Sequence, residues 1–135
     1  MTAMAAELLF VNDAFYLAFH NRDVESMDRL WARQVTVSCA HPGWRTLVGR
    51  SQVMASWRGI FGHADSPAIV ARGAEARGQG GAGLVTCYEV LGDTVLSATN
   101  VYFREQDEWR IVHHHASQCR EVPPAALSKE HVSLQ

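Results

Sequence analysis

The sequence predicts an α+β domain in which helices come first and an antiparallel β-sheet follows. Apolar residues recur with helical spacing as far as Phe61, and beyond Pro67 they alternate with polar residues at the period of two that strands require. The turn signals Gly92-Asp93 and Gln106-Asp107 separate the later alternating runs, as in consecutive hairpins. Helices followed by hairpin-linked strands are typical of α+β folds.

Three helices are predicted before the long strands. Residues 3–20 have one apolar stripe that includes Phe15, which predicts an amphipathic helix. Asp23 has the short acceptor side chain of an N-cap and predicts the start of a second, shorter helix. Residues 49–61 return to helical spacing and place Trp57 at a buried position.

Five strands are predicted after the second helix. A β-branched run at residues 35–39 predicts a short strand that ends at the Pro42-Gly43 turn. The glycine-rich segment 78–83 is expected to be a loop between strands. Longer strands are expected at about residues 67–77, 84–91, 94–105 and 108–118.

Composition and charge limit the classes of function. The 135 residues are enough for one core, and we expect a single domain over residues 1–120 with a C-terminal tail over 121–135. A net charge of −2 without a Lys/Arg cluster predicts binding to neither nucleic acid nor membranes. The three cysteines have no CxxC spacing, and acidic residues interrupt the apolar N-terminal segment. We therefore expect reduced thiols, no signal peptide and a cytoplasmic location.

Counting back from the two hairpin turns predicts which side chains share a face of the sheet, because directly paired residues do so. The first turn pairs Glu89 with Leu96, and the second pairs Asn100 with His113. His114 takes the opposite face, and a slip of one residue would exchange the two faces. One face then carries polar side chains among apolar ones, as ligand pockets do: Glu89, Asn100, His113 and His115.

The run of three histidines on the last strand is the main candidate for chemistry, because imidazole titrates near neutral pH and binds metals. His113 and His115 would be a general acid–base pair, or hydrogen-bonded residues of a cavity that binds without reacting. With His41 they would offer three zinc ligands, but no fourth ligand is evident, so we expect neither metal nor cofactor. Cys39 beside His41 would be an activated nucleophile or, as is more common, a buried and inert thiol.

Three segments carry a resemblance to a known family: residues 15–23, residues 39–44 with the order Cys-Ala-His-Pro-Gly-Trp, and residues 99–117 with Trp109-Arg110 and the histidine run. Together they resemble the SnoaL-like branch of the nuclear transport factor 2-like (NTF2-like) superfamily. The resemblance covers roughly residues 5–120. It implies a cone in which three N-terminal helices pack on a strongly curved antiparallel sheet, with a pocket between them. It also implies homodimers that form through the convex face of the sheet.

The resemblance does not imply one reaction, because the superfamily contains isomerases, cyclases, dehydratases, hydrolases, binding proteins and a kinase association domain. The oxyanion-hole tyrosine of its steroid isomerases falls at Phe15, and their general-base aspartate falls at Cys39. Neither residue can do that work, and Tyr16, one helical position away, is expected to point elsewhere. The aspartate of the polyketide cyclases has no clear counterpart. The kinase association domain shares the alternating histidines of the last strand, which favours oligomerisation.

The sequence therefore predicts a homodimeric protein with a partly apolar pocket for a small organic ligand. In the first hypothesis it is an enzyme, in which His113 or His115 moves a proton and Asn100 orients the base or stabilises an oxyanion. In the second it is a ligand-binding or association domain without chemistry. The same residues are expected to line the pocket in both cases: Phe15, Cys39, His41, Trp57, Glu89 and Tyr102.

Overall fold

The three predicted helices and five predicted strands follow one another in the expected order, and the structure adds a two-residue strand at Leu47–Val48 and a short helix at Pro124–Leu127. The computed structural model describes residues 2–66 and 68–127. Its helices are α1 (Ala3–His20), α2 (Val24–Leu30), α3 (Arg50–Gly62) and α4 (Pro124–Leu127). Its strands are β1 (Ser38–Ala40), β2 (Leu47–Val48), β3 (Val70–Gln79), β4 (Ala82–Leu91), β5 (Thr94–Glu105) and β6 (Glu108–Gln118). Within the described ranges, no helix is long and apolar enough to cross a membrane.

The strands form one curved, six-stranded sheet in the order β2-β1-β6-β5-β4-β3. Neighbouring strands are antiparallel, except that β1 and β6 run parallel. α1 packs against β3 and β4, and α3 lies beside β1 and β2. The face that α1 and α3 cover is the concave face, and the opposite one is the convex face. The predicted α+β fold is confirmed, with one parallel pair in place of a purely antiparallel sheet.

Local capping explains where the helices begin. Thr2 Oγ1 accepts a hydrogen bond of 3.0 Å from the backbone N–H of Ala5 at the start of α1. The predicted N-cap Asp23 accepts one of 3.1 Å from the N–H of Ser26, so each side chain satisfies a donor that the helix leaves unpaired. α3 has no side-chain cap, but Arg50 in its first turn donates to two carbonyl oxygens of the loop after α2. These bonds tie that loop to α3.

The segment 78–83 is not the loop that its glycines predicted. Its ends belong to β3 and β4, and only Gly80 and Gly81 form the turn. Gly83 has a packing role instead, because a Cβ at that position would lie 2.5 Å from Leu8 Cδ1. The absent side chain lets α1 approach the sheet closely at this point.

Both predicted hairpin turns are present. Glu89 pairs with Leu96, as expected from the first turn. In the second turn, Gln106 and Asp107 have positive φ values of 51° and 65°, which is the left-handed backbone that two-residue hairpin loops favour. Loop length was therefore predicted correctly in both hairpins.

A β-bulge in β6 nevertheless overturns the pairing predicted for the histidines. Counting from the turn holds until Val112, which is an extra residue between two consecutive pairs of the β5–β6 ladder. A bulge inserts one residue and moves every later side chain to the opposite face. Asn100 therefore pairs with His114, and the prediction that His113 and His115 share the face of Asn100 is wrong.

Part of the predicted C-terminal tail is folded onto the convex face. α4 lies against β3, where a Cβ on Gly73 would be 2.9 Å from Ala125 Cβ, and Ala126 is buried. α4 thus covers the β3–β4 end of the convex face beside Tyr88. The β5–β6 part stays open, and Phe103 is 37% exposed there. The remainder of the predicted tail, residues 128–135, lies outside the described residues.

Candidate functional site

Polar side chains form a continuous buried network on the concave face. α1 contributes Asn12 and Tyr16 from consecutive turns, and the sheet contributes the rest. Burying a polar group is costly unless it is hydrogen-bonded, and each member of this network is bonded to another member. None is more than 6% exposed: Asn12, Tyr16, Glu89, Asn100, Tyr102 and His114.

Tyr16 lies at the centre of the network. Its Oη donates a hydrogen bond of 2.6 Å to Glu89 Oε2 and accepts one of 3.1 Å from Asn100 Nδ2. The expectation that Tyr16 points elsewhere is wrong. α1 buries a wide arc rather than a narrow stripe, so that Phe15 and Tyr16 are both buried. The hydroxyl that Phe15 lacks is therefore supplied by the next residue.

Asn100 fixes the orientation and tautomer of His114. The Asn100 amide nitrogen donates 2.9 Å to Asn12 Oδ1, and its Oδ1 lies 2.6 Å from His114 Nδ1. Because an amide oxygen can only accept, Nδ1 carries the ring proton. When His114 is neutral, Nε2 is consequently left with a lone pair. This nitrogen lies 3.7 Å from Glu89 Oε2, beyond hydrogen-bond distance.

The network sets unusual protonation properties for its titratable groups. Burial raises the pKa of Glu89 to about 7, although the hydrogen bond from Tyr16 opposes this effect. Burial lowers the pKa of His114 well below its usual value. Near neutral pH, Glu89 can therefore either give or take a proton, while His114 is a neutral imidazole. This is the electrostatic pattern that acid–base sites use.

His41 extends the buried polar region towards β1. Its Nε2 lies 2.9 Å from Ser56 Oγ, whose own proton goes to the carbonyl oxygen of Val53 at 2.6 Å. In the hydrogen bond to Ser56, His41 Nε2 must therefore be the donor. Burial lowers the pKa of His41 to about 4. Cys39 Sγ is 3.6 Å from the same nitrogen, and burial raises the pKa of this thiol to about 12. The arrangement favours an inert thiol over an activated nucleophile.

Aromatic rings line the apolar side of the network. Trp57 packs edge-on against His41 with ring centroids 4.7 Å apart, and its centroid is 5.7 Å from that of His114. The ring centroid of Phe15 is 5.1 Å from that of His114. Trp57 is fully buried, and its indole N–H has no hydrogen-bond partner among the described residues. Such a donor is available to an acceptor that enters the site.

The structure brings most of the predicted site residues to the concave side. Phe15, Cys39, His41, Trp57, Glu89, Asn100 and Tyr102 are all buried there. His113 and His115 are not among them, because the bulge turns both towards the convex face, where His115 is exposed. Whether any of these residues binds or reacts stays a prediction, as does the ligand pocket itself. The network contains bonded side chains rather than open space.

Sequence reasoning missed Asn12, Tyr16, Ser56 and His114. A signal for the first two was present, since Asn12 and Tyr16 are polar residues four apart on an otherwise apolar helix face. For His114 the bulge hid the signal. The surface comes near the network at a groove of about 420 Å³ between α1 and the start of β3, which Tyr16 helps to line. Within the described part of the chain, no three His, Cys, Asp or Glu residues are grouped to hold a metal ion.

Comparisons with solved structures find the same fold in bacterial proteins. A protein of the NTF2-like family from Streptomyces avermitilis, provisionally named as a dehydratase, is 30% identical with a TM-score of 0.79, covering 87% of this chain and 97% of that one. A protein from Thiobacillus denitrificans, provisionally named as a calcium/calmodulin-dependent protein kinase type II association domain, is 38% identical with a TM-score of 0.69. That match covers 82% of this chain and 93% of the other.

A curated plant protein matches in sequence. F-box protein SKIP8 of Arabidopsis thaliana is 26% identical over 117 residues, which cover 85% of this chain and 51% of that protein. The chain thus spans about half the length of this relative. The SnoaL-like domain family matches residues 9–121. The resemblance noted in the sequence is confirmed, and the chain belongs to the SnoaL-like domain family of the NTF2-like superfamily.

Proposed function

We propose that this protein is an enzyme that transfers protons on a small organic molecule, with Glu89, Tyr16 and His114 as its reacting groups. The observation that carries the proposal is the buried Glu89 carboxyl. Its pKa is raised to about 7, and Tyr16 Oη lies 2.6 Å away. A carboxyl with a pKa near the working pH is suited to both general acid and general base catalysis.

Dehydration is the reaction class that we favour, because it needs one base and one acid close together and because a 30% identical relative is provisionally named as a dehydratase. In this scheme His114 Nε2 takes a proton from carbon, and a C=C bond forms as the adjacent C–O bond breaks. Burial makes His114 a weak base, so the step depends on the Glu89 carboxylate that forms 3.7 Å away and stabilises the imidazolium. Protonated Glu89 gives its proton to the departing hydroxyl, which leaves as water. The proton on His114 then returns to Glu89, 3.7 Å away. Tyr16, whose hydroxyl donates to Glu89 Oε2 in this structure, would turn that hydrogen bond to the departing hydroxyl oxygen as it gains charge.

The other site residues keep supporting roles in the proposal. Asn100 is a positioning residue, since its amide oxygen holds the proton of His114 on Nδ1. Trp57 Nε1 and Asn12 Nδ2 are buried donors without a partner among the described residues, which favours a ligand with acceptor oxygens. Phe15, Cys39, His41 and Tyr102 would line the ligand. His113 and His115 have no catalytic part, because they face away.

A thermal-shift screen with small hydroxy and carbonyl compounds tests this proposal. We expect a ligand to stabilise the wild type by about 2.7 kcal/mol at a hundred times its dissociation constant. The shift should be lost in His114→Gln. It should be kept in the control His113→Gln, because His113 lies on the opposite face of the sheet. A hit is then incubated with the wild type and assayed for loss of water. Equal shifts in the two variants would remove His114 from the site.

A second function, association through the convex face, is favoured by a separate observation. The part of this face that α4 leaves open carries Phe103, and Val101 and Leu84 are only partly buried beside it. A relative that is 38% identical is provisionally named as an association domain. We propose that two copies meet there as a homodimer.

The cytoplasmic location also stays a prediction, supported by three free cysteines.

The dimer is tested by placing a charge in the proposed interface. Phe103→Asp should convert a dimeric wild type to monomers in sedimentation velocity, because a buried unpaired carboxylate is costly. Leu17→Asp is the matched control, since Leu17 is 63% exposed on α1 and away from the convex face. A dimer that survives Phe103→Asp, or dissociates in Leu17→Asp, would show that the interface lies elsewhere.

A further inference from the structure

The bulge that removes His113 and His115 from the buried network places them together on the convex face. They are two residues apart on β6, and their ring centroids are 5.8 Å apart. His115 is exposed and His113 is partly buried. Two imidazoles on one tetrahedral metal ion have centroids about 5 Å apart, given metal–nitrogen bonds of about 2.0 Å. A small side-chain rotation would bring this pair to that spacing.

Ser38 prepares one of the two rings for metal binding. It lies on β1 opposite His113, and its Oγ is 2.6 Å from His113 Nδ1. A hydroxyl can accept a hydrogen bond from Nδ1–H, and in that tautomer Nε2 is the ring nitrogen with the lone pair. Metal-bound histidines commonly use their second nitrogen in this way, and the contact fixes the tautomer and the ring orientation.

The position of the pair on the convex face supplies a source for the missing ligands. α4 covers the β3–β4 end of this face, so the open part includes β5, β6 and β1. A symmetric dimer through this part places the same surface of each copy opposite the other. If the two-fold axis passes between the two copies of β6, His113 and His115 of one protomer face the same two histidines of its partner, which makes four nitrogen ligands; this position of the axis is part of the proposal.

We propose that His113 and His115 form half of a transition-metal site, and that two copies of the chain complete a four-histidine site for Zn²⁺ or a similar divalent ion. Imidazole nitrogens suit zinc, copper and nickel, and four ligands are the number that a structural zinc site requires. The site rests on the convex-face dimer proposed above. It is separate from the buried network, which lies on the other side of the sheet.

Isothermal titration of the metal-free protein with ZnCl₂ tests the site. We expect one Zn²⁺ for two chains, with a shift towards dimer in sedimentation velocity as the metal is added. His115→Ala should abolish binding, and Ser38→Ala should weaken it by roughly 10- to 100-fold. His20→Ala is the control, because His20 is an exposed histidine on α1. Co²⁺ in place of Zn²⁺ should give the visible absorption of a tetrahedral site in the wild type and in His20→Ala, but not in His115→Ala.

The outcomes separate the metal site from the dimer. A dimer that forms equally with EDTA and does not bind Zn²⁺ would overturn the site and leave the interface intact. Binding of one Zn²⁺ to each monomer would overturn the shared, four-ligand site. Zinc binding that is the same in the wild type and in His115→Ala would show that other residues hold the metal.

Discussion

Glu89→Gln is expected to abolish proton transfer and at the same time to stabilise the protein above pH 7. The amide cannot act as an acid or a base, and loss of such a group costs about 10²- to 10⁴-fold in rate. Gln keeps an oxygen that accepts the hydrogen bond from Tyr16, so the fold should be preserved. The variant therefore tests the catalytic role of Glu89 without disrupting the fold.

The pH dependence follows from the raised pKa of Glu89. In the folded protein this pKa is about 7, compared with a usual value of 4.5. The folded state therefore holds more protons than the unfolded state between these pH values, and wild-type stability falls as the pH rises through them. The wild type loses about 3 kcal/mol of its free energy of unfolding above pH 7. Glu89→Gln should not show this loss, because its amide does not titrate.

Urea unfolding of both proteins at pH 4.5 and pH 8 measures this difference. His41 contributes a slope of opposite sign, because its pKa is lowered to about 4 and its neutral form is lost as the pH falls. His41 is present in both proteins, so its contribution cancels when they are compared. Glu75→Gln is the control, because the Glu75 side chain is 73% exposed. A stability difference between wild type and Glu89→Gln that does not change with pH would contradict the raised pKa.

His114→Ala should destabilise the protein by about 3 to 5 kcal/mol, through a cavity and an unpaired amide oxygen on Asn100. His114 is 1% exposed, and its Nδ1 is 2.6 Å from that oxygen. His113→Ala should cost about 1 kcal/mol, because this ring is only partly buried and loses one hydrogen bond. Denaturant unfolding of the two neighbouring variants measures both values. A larger loss for His113→Ala than for His114→Ala would indicate that His113 is the buried partner of Asn100, as counting from the turn predicted.

The order of helices and strands was predictable because each long element carries its own periodicity. β5 and β6 match the predicted ranges 94–105 and 108–118, since apolar alternation and turn residues mark both ends. β2 was missed because Leu47–Val48 is too short to show any alternation. Its pairing depends on β1, which in turn lies parallel to β6. Contacts between distant segments of this kind leave little local trace in a sequence.

The buried network was predictable in composition but not in detail. Glu89 and Asn100 were assigned to one face from the first hairpin and lie there. The histidine partner was wrong because of the bulge, at which the neighbouring residues Ile111 and Val112 are both buried. Two neighbouring residues of a regular strand would face opposite ways. The hydrophobicity of the two residues was visible in the sequence, but their common burial depends on tertiary packing.

The extra residue at Val112 has a consequence for how functions are transferred among relatives of this chain. Residues of β6 beyond the bulge are out of phase with those before it, so an alignment by sequence column can equate an interior histidine with an exterior one. A homologue with a regular strand would present the side chain equivalent to His113 to its interior. The roles of residues on this strand should therefore be compared by strand face and by hydrogen-bond partner, with Asn100 as the reference point. Position in the segment from Trp109 to His115 is not a safe guide.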